Sequence, residues 1–265
     1  MSVREERVRL MINLFKMDFH RFISNKMMYV LLLIFIAFQM FGTYMTSVYE
    51  QPMAESGIQA SAMNASEYIQ YILSQSPVWM LLYIMVFTVY FYMSEQNAGF
   101  YKNYITMKNA RIHSVLSKIL IQAAFTLLMF VTLLFSDFIG RSLFFDNSVI
   151  GDTGYFVTLL LGQFLLQWSF SILILCVSII TKNMLVSISI GIVFVLNVFG
   201  MILSSLESLL FDNTYVSDYL LVNTITHTRD FAVLNEVIHV GSVALVSILL
   251  FTGVAISYKL KEDLK

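Results

Sequence analysis

The chain is 265 residues long; 58% of its residues are hydrophobic and only 12% are charged. Because so few charged residues cannot cover the surface of a soluble domain of this length, the composition excludes a soluble protein and indicates an integral membrane protein. The net charge is −1, and anionic membrane lipid accounts for the basic segments, so we expect no nucleic-acid partner.

An N-terminal segment, residues 1–26, precedes the first long apolar run. Its helical period places apolar side chains on one face and polar or basic ones on another. We expect a cytoplasmic amphipathic helix lying in the membrane interface, and a helix packed on a soluble partner is the alternative. The apolar face comprises Val8, Met11, Ile12, Phe15, Phe19 and Phe22, and the polar face comprises Arg9, Asn13, Lys16 and His20.

Six apolar runs follow, most of them close to the roughly 20 residues that cross a ~30 Å hydrocarbon core. They predict an all-α membrane protein whose six transmembrane helices form one domain, residues 27–265. In chain order the runs are Met27–Met45, Ser76–Met93, Ile119–Gly140, Tyr155–Ile180, Met184–Leu206 and Val237–Tyr258.

The basic residues fall almost entirely on one side of these predicted spans. With a cytoplasmic N-terminus, 14 of the 16 Lys and Arg residues lie inside, and only Arg141 and Arg229 lie outside. Because translocation retains basic flanks in the cytoplasm, we expect both termini to be inside. From the general character of the sequence we expect a multi-pass protein of a bacterial plasma membrane.

The second predicted span carries an aromatic stripe at steps of four, four and three residues, so its members share one side of the helix. Aromatic walls offer a large contact area to an apolar or amphipathic substrate without demanding one hydrogen-bond pattern. Contact with lipid or packing between helices is the alternative. The stripe comprises Trp79, Tyr83, Phe87 and Tyr90.

Polar residues deep in the predicted spans are neutral rather than charged. Gln163 and Gln167, which share a helix face, and Asn197 are further candidates for a substrate path. Hydrogen bonding between helices is their more ordinary role. Secondary transporters commonly carry ionisable groups near the bilayer midplane, and these spans have none there, which counts against that class.

The sequence shows no convincing set of nucleophile, base and orienting residue of the kind that enzyme catalysis needs. No Gly-x-x-x-x-Gly-Lys-Ser/Thr string occurs, so we do not expect this chain alone to bind or hydrolyse ATP. Cys176 is the only cysteine, and the four histidines are scattered over both predicted sides, so we expect no metal site. We therefore predict that the chain is not an enzyme and binds no cofactor of its own.

The outer segment 207–236 contains apolar clusters that are too short to cross a membrane. A structureless loop of 30 residues would be unusual in a compact protein. We expect short helices that lie on or dip into the outer leaflet, where protein or water can satisfy their backbone ends. A small external cap with no role in transport is the alternative.

The inner loop 94–118 has a Glu at the membrane exit, a Gly four residues later, a short amphipathic stretch, and an Arg and a Lys before the third span. This pattern, together with the basic N-terminal helix, six spans, inner termini and long outer segment, resembles the permease subunits of type-2 ATP-binding-cassette exporters. An ordinary basic inner loop is the alternative. The residues that carry the resemblance or its implied role are Glu95, Gly99, Phe100, Tyr101, Lys102, Tyr104, Ile105 and Arg111.

The resemblance implies that two permease subunits, identical or homologous, pair around a shared path. Each would dock on a separate nucleotide-binding subunit, which holds ATP and Mg, through a coupling helix near Ala98–Met107. The aromatic content favours an amphipathic peptide or another hydrophobic molecule as the exported substrate. A secondary transporter, and a membrane scaffold or immunity protein that transports nothing, are the rival functions.

Overall fold

The computed structural model describes residues 3–55, 59–75, 77–99, 108–147, 149–210 and 216–261. Within these ranges all regular secondary structure is helical. The α-helices are α1 (Val3–Ile23), α2 (Lys26–Val48), α3 (Glu50–Glu55), α4 (Ala65–Ser74), α5 (Trp79–Asn97), α6 (Lys108–Phe144), α7 (Thr153–Thr181), α8 (Met184–Val195), α9 (Val198–Leu210), α10 (Leu221–Thr226) and α11 (Leu234–Lys261), with 3-10 turns at Ala60–Ala62 and Val216–Tyr219.

Four of the described helices, α2, α6, α7 and α11, are long and apolar enough to cross a membrane. The number rises to six when the bent pairs α4 with α5 and α8 with α9 each count as one span. The predicted all-α class is confirmed for the described residues, and their long apolar helices fit a multi-pass membrane protein. The count of six spans, the interfacial position of α1 and the orientation in the membrane stay predictions.

Polar residues between the apolar runs set the ends of the helices. Asn25 caps α2 by accepting a hydrogen bond from the Met27 amide, and Asn183 caps α8 by accepting from two amides. Such caps satisfy backbone donors that have no partner inside the helix. The predicted span Met184–Leu206 is bent by 41° between α8 and α9, where Asn197 adopts a left-handed conformation with φ 53°.

Contacts between helix ends define two ends of the bundle. At the first, the Arg111 guanidinium donates to the Leu260 carbonyl at 3.2 Å, and the Tyr258 hydroxyl lies 3.3 Å from the Ile180 carbonyl. The ends of α1 and α5 also lie at this end of the bundle, where an ion pair described below joins them. We call it the basic end. The opposite end, which we call the acidic end, contains α4, the start of α7 and the described part of the segment 207–236. There the Gln70 side chain of α4 donates to the Arg229 carbonyl of that segment.

Helix α7 lies at the centre of the bundle and packs against α5, α6, α8 and α11. Its buried apolar side chains, Leu166, Phe170 and Ile174 among them, belong to one continuous hydrophobic core. Cys176 belongs to the same core, as its position in the sequence indicates. Helices α2 and α11 leave one apolar face exposed, as expected for helices that contact lipid.

Candidate functional site

Four charged side chains meet inside the basic end, where α1, α5 and α6 converge; we call Asp18, Arg21, Glu95 and Lys118 the charge cluster. The Glu95 carboxylate accepts from the Arg21 guanidinium at 2.5 Å, and the Lys118 ammonium lies 2.9 Å from the same oxygen. Asp18 lies 3.7 Å from the Lys118 ammonium and accepts from the Ser117 hydroxyl at 2.7 Å. The cluster therefore ties three helices together with charge-assisted contacts.

The charge cluster is almost completely removed from solvent. Asp18 and Glu95 are each 1% exposed and Lys118 is 2% exposed, while the Arg21 side chain is 25% exposed. Two acids and two bases make the cluster neutral overall, which offsets part of the cost of taking charges out of water. Removing one member would leave a buried charge without compensation, so the four residues act as a unit.

Arg21 has two further contacts that hold it in the cluster. Its second terminal nitrogen donates to the Phe91 carbonyl at 2.6 Å, and its guanidinium carbon lies 4.1 Å from the centre of the Phe91 ring. An arginine is suited to this position because its planar group can stack on a ring and donate several hydrogen bonds at once. Helix α1 is therefore fixed to the last turns of α5.

Three of the predicted coupling residues, Glu95, Gly99 and Arg111, lie in the described part of the chain. Glu95 is in the cluster, and Arg111 joins α6 to the end of α11. Gly99 follows α5 with φ 70°, a conformation that a β-branched residue could adopt only with strain. The remaining coupling residues, Phe100, Tyr101, Lys102, Tyr104 and Ile105, lie outside the described residues.

The aromatic stripe of α5 packs against neighbouring helices along much of its length. Trp79 and Tyr83 contact phenylalanines of α2, with ring centroids 5.1 Å apart in each case. Phe87 is fully buried and stacks 3.8 Å from Phe125 of α6. Trp79 remains 45% exposed, and Tyr90 is half-buried. The stripe thus passes from an exposed position at the acidic end into the core.

Gln163 and Gln167 lie on the face of α7 that also carries Phe170 and Ile174. They are 4% and 0% exposed. Among the described residues, neither polar atom of the Gln167 amide has a hydrogen-bond partner, and the Gln163 carbonyl oxygen has none. Gln122 of α6 differs at its carbonyl oxygen, which accepts from the Thr88 hydroxyl of α5 at 2.8 Å, although its amide nitrogen has no partner among the described residues.

Asn197, the third neutral candidate, differs from the Gln167 amide because its side chain has a hydrogen-bond partner among the described residues. Its amide donates to the Asn223 side chain of α10 at 2.6 Å, across the break between α8 and α9. Asn223 in turn donates to the Ser217 carbonyl, and Ser217 donates to the buried Glu207 carboxylate. These bonds hold the described part of the segment 207–236 against the bundle, in short helical pieces of the kind the sequence predicts.

Sequence patterns alone do not single out Asp18 or Arg21, and Lys118 enters only as the Lys that precedes the third span in the loop pattern. A usable pattern was present, because Asp18 is the one carboxylate between Glu6 and Glu50. An acid on the apolar side of a helix, next to Phe22, needs a buried partner. The predicted apolar face of α1 includes Phe22 but omits Leu14 and Asp18, and all three residues are buried.

No protein-family model matches the chain, and no curated protein matches it. Within the described ranges, no three or more His, Cys, Asp or Glu side chains come close enough together to hold a metal ion. A function for this protein is therefore inferred from its side chains and their contacts.

Proposed function

We propose that this chain is the transmembrane permease subunit of an ATP-driven exporter in a bacterial plasma membrane. In this proposal the basic end faces the cytoplasm, and a separate nucleotide-binding subunit, which holds ATP and Mg, docks on the loop between α5 and α6. The observation that carries the proposal is the charge cluster, because it joins both helices that flank this loop to the N-terminal helix.

A loop that transmits force needs anchored ends. Glu95 is four residues before Gly99, at the end of α5, and Lys118 is in the third turn of α6. Their contact at 2.9 Å links the two helices beside the loop, and in this proposal it keeps them together when the loop is pushed. Motion of the ATPase would then tilt α1, α5 and α6 together, which shifts the bundle between its conformations.

The exported substrate in this proposal is an amphipathic peptide, moved along a path shared with a second permease subunit, identical or homologous. Exposed apolar residues next to the acidic end support this class of substrate. Leu209 is 81% exposed, Leu210 is 70% exposed and Tyr219 is 64% exposed. Such a surface offers contacts to apolar side chains as they leave the membrane.

Purification of the tagged chain from native membranes, followed by mass spectrometry, tests the proposal. We expect an ATPase subunit with a phosphate-binding loop to co-purify. Tyr104→Asp should abolish that association, because it places a charge in the apolar face predicted to dock. Tyr219→Asp, an aromatic-to-acid change at the opposite end, should leave the association intact. Both variants should insert in the membrane at the same level as the unchanged chain.

Two outcomes would exclude the exporter. Substrate movement that survives depletion of ATP would indicate a secondary transporter, and a chain that binds a target but no ATPase would indicate a scaffold or immunity protein. Tyr104→Asp that retains both ATPase binding and transport would remove the loop from the mechanism.

A further inference from the structure

A cavity of about 310 Å³ opens at the acidic end between α2, α4 and the start of α5. Its size is at the lower limit of sites that bind small ligands. Trp79, the exposed end of the aromatic stripe, forms part of its wall. The cavity is lined by aromatic rings, by aliphatic and methionine side chains, by neutral hydrogen-bonding side chains and by one helical glycine. The lining residues that matter for the argument are Phe38, Gln39, Gly42, Thr43, Tyr71 and Trp79.

The charge of the lining restricts what the cavity can bind. None of the described residues that line it is an acid or a base. A charged group would therefore lose its hydration without gaining a partner of opposite charge. The aromatic rings favour an apolar side chain instead, and the amide and hydroxyl groups favour a ligand that can both donate and accept hydrogen bonds.

The Gln39 side chain favours a peptide segment over a hydrocarbon chain as the uncharged occupant of the cavity. Gln39 is only 8% exposed and lines the cavity. Its side chain forms no hydrogen bond with the described residues. A carboxamide presents one acceptor and two donors, which matches the acceptor and donor of a peptide backbone. A hydrocarbon chain would leave the Gln39 amide buried without a partner, which is unfavourable.

We propose that this cavity binds the uncharged apolar segment of an amphipathic peptide, with the Gln39 amide paired to the peptide backbone and an apolar side chain against Phe38 and Trp79. The inference deepens the proposed function and rests on it, since it places a site for the exported peptide at the acidic end. Binding needs no ATPase, so failure of this site and failure of the exporter proposal are distinguishable.

Trp79 supplies a probe for the test. The chain has two tryptophans, so Trp168→Phe leaves Trp79 as the single indole fluorophore. In phosphatidylcholine nanodiscs, this variant is titrated with the blocked peptide acetyl-Leu-Phe-Leu-Phe-Leu-amide. We expect a saturable change in Trp79 emission. A matched peptide with Lys in place of each Leu should bind at least about tenfold more weakly, because no lining carboxylate neutralises it.

Gly42→Leu tests whether the response comes from this cavity. A Cβ at Gly42 meets no atom within 4 Å, and Gly42 lies on α2, so Leu should fill the cavity without opposing the fold. Gly253→Leu on α11 is the matched control, because that glycine is also helical and also unobstructed, and it lies outside the lining. We expect Gly42→Leu to lose the response and Gly253→Leu to keep it, with both melting at or above the parent temperature.

Gln39→Leu tests the pairing with the backbone, and we expect it to weaken peptide binding roughly tenfold. Two results would overturn the proposal. The first is a Gly42→Leu variant that binds the peptide with unchanged affinity. The second combines two observations: monoolein, a neutral single-chain lipid, gives a saturable response equal to that of the peptide, and Gln39→Leu binds the peptide with unchanged affinity. Together they would assign the cavity to a lipid chain.

Discussion

Substitution of Glu95 by Gln tests the charge cluster with a change of one atom in the side chain. The variant keeps the shape of the residue but removes the negative charge that Arg21 and Lys118 share. The Lys118 ammonium would keep its longer contact with Asp18, at 3.7 Å. We expect the protein to insert in the membrane but to be less stable, because a buried base loses its main partner.

The burial of the cluster sets the size of the effect. Breaking a buried ion pair by removing one partner costs about 3–5 kcal/mol. The remaining contact with Asp18 places Glu95→Gln near the lower value, about 3 kcal/mol. For a chain of this length each kcal/mol shifts the melting temperature by roughly 2–4 °C, so we expect a decrease of about 6–12 °C.

Thermal unfolding of the purified protein in nanodiscs measures the change, with Glu236→Gln as a matched control. Glu236 also pairs with an arginine, Arg229, at 2.7 Å, but the Glu236 side chain is 37% exposed. Water screens this pair, so the control should change the stability by less than about 1 kcal/mol.

A double variant separates the pairwise contact from other effects of substitution. Lys118→Met alone should also destabilise the protein, since it leaves Asp18 and Glu95 with Arg21 as their shared base. The double variant Glu95→Gln with Lys118→Met should be less destabilised than the sum of the single changes, by about 1–3 kcal/mol. Additive losses, or a Glu95→Gln melting temperature equal to that of Glu236→Gln, would refute the role of the cluster.

Three further predictions concern other parts of the bundle. In a Cys176→Ser background, cysteines at Asp146 and Asp230 should react with an impermeant reagent in intact cells, and one at Ser24 should not; the reverse pattern would invert the orientation. Gly200→Ala should destabilise the 207–236 segment by about 1–3 kcal/mol and speed its proteolysis, because its Cβ would clash with Asn197 and Asn223, whereas Gly253→Ala should be silent. Gln167→Leu should maintain or raise the melting temperature, whereas Gln122→Leu should lower it, because of the two only Gln122 has a described hydrogen-bond partner. A lower melting temperature for Gln167→Leu would reveal an essential contact of that side chain.

Much of the helical architecture could be predicted from the sequence, because long apolar runs have few ways to satisfy their backbone apart from a helix. The first, third, fourth and sixth predicted runs each lie within one helix, α2, α6, α7 and α11. The fifth run bends at Asn197, which periodicity could not reveal, since Asn223 supplies its partner from 26 positions further along the chain. Helix α5 begins at Trp79 rather than Ser76, after Val78 in an extended conformation.

The candidate site was only partly predictable for a related reason. Glu95 is selected only through the loop pattern on which the resemblance rests, a Glu at the membrane exit four residues before a Gly. Its partners Arg21 and Lys118 are 74 and 23 positions away, and each resembles any other basic residue that flanks a span. Which of them are buried depends on how α1 packs against α5 and α6, and sequence spacing within one helix carries no information about that packing.

The two ends of the bundle are held by different kinds of contact, and this has a consequence for the proposed mechanism. At the basic end a buried cluster of charges joins three helices, and its members cannot be lost one at a time without leaving an uncompensated charge. At the acidic end the ion pair of Asp137 and Arg141 lies within α6, and the pair of Arg229 and Glu236 joins α11 only to the residues just before it and is partly exposed. Side-chain contacts between elements there include hydrogen bonds to single carbonyl groups, such as Gln70 to Arg229, each worth about 1 kcal/mol and each able to break independently. Under the proposed function, the acidic end therefore opens to release the substrate while the basic end moves as one body with the ATPase.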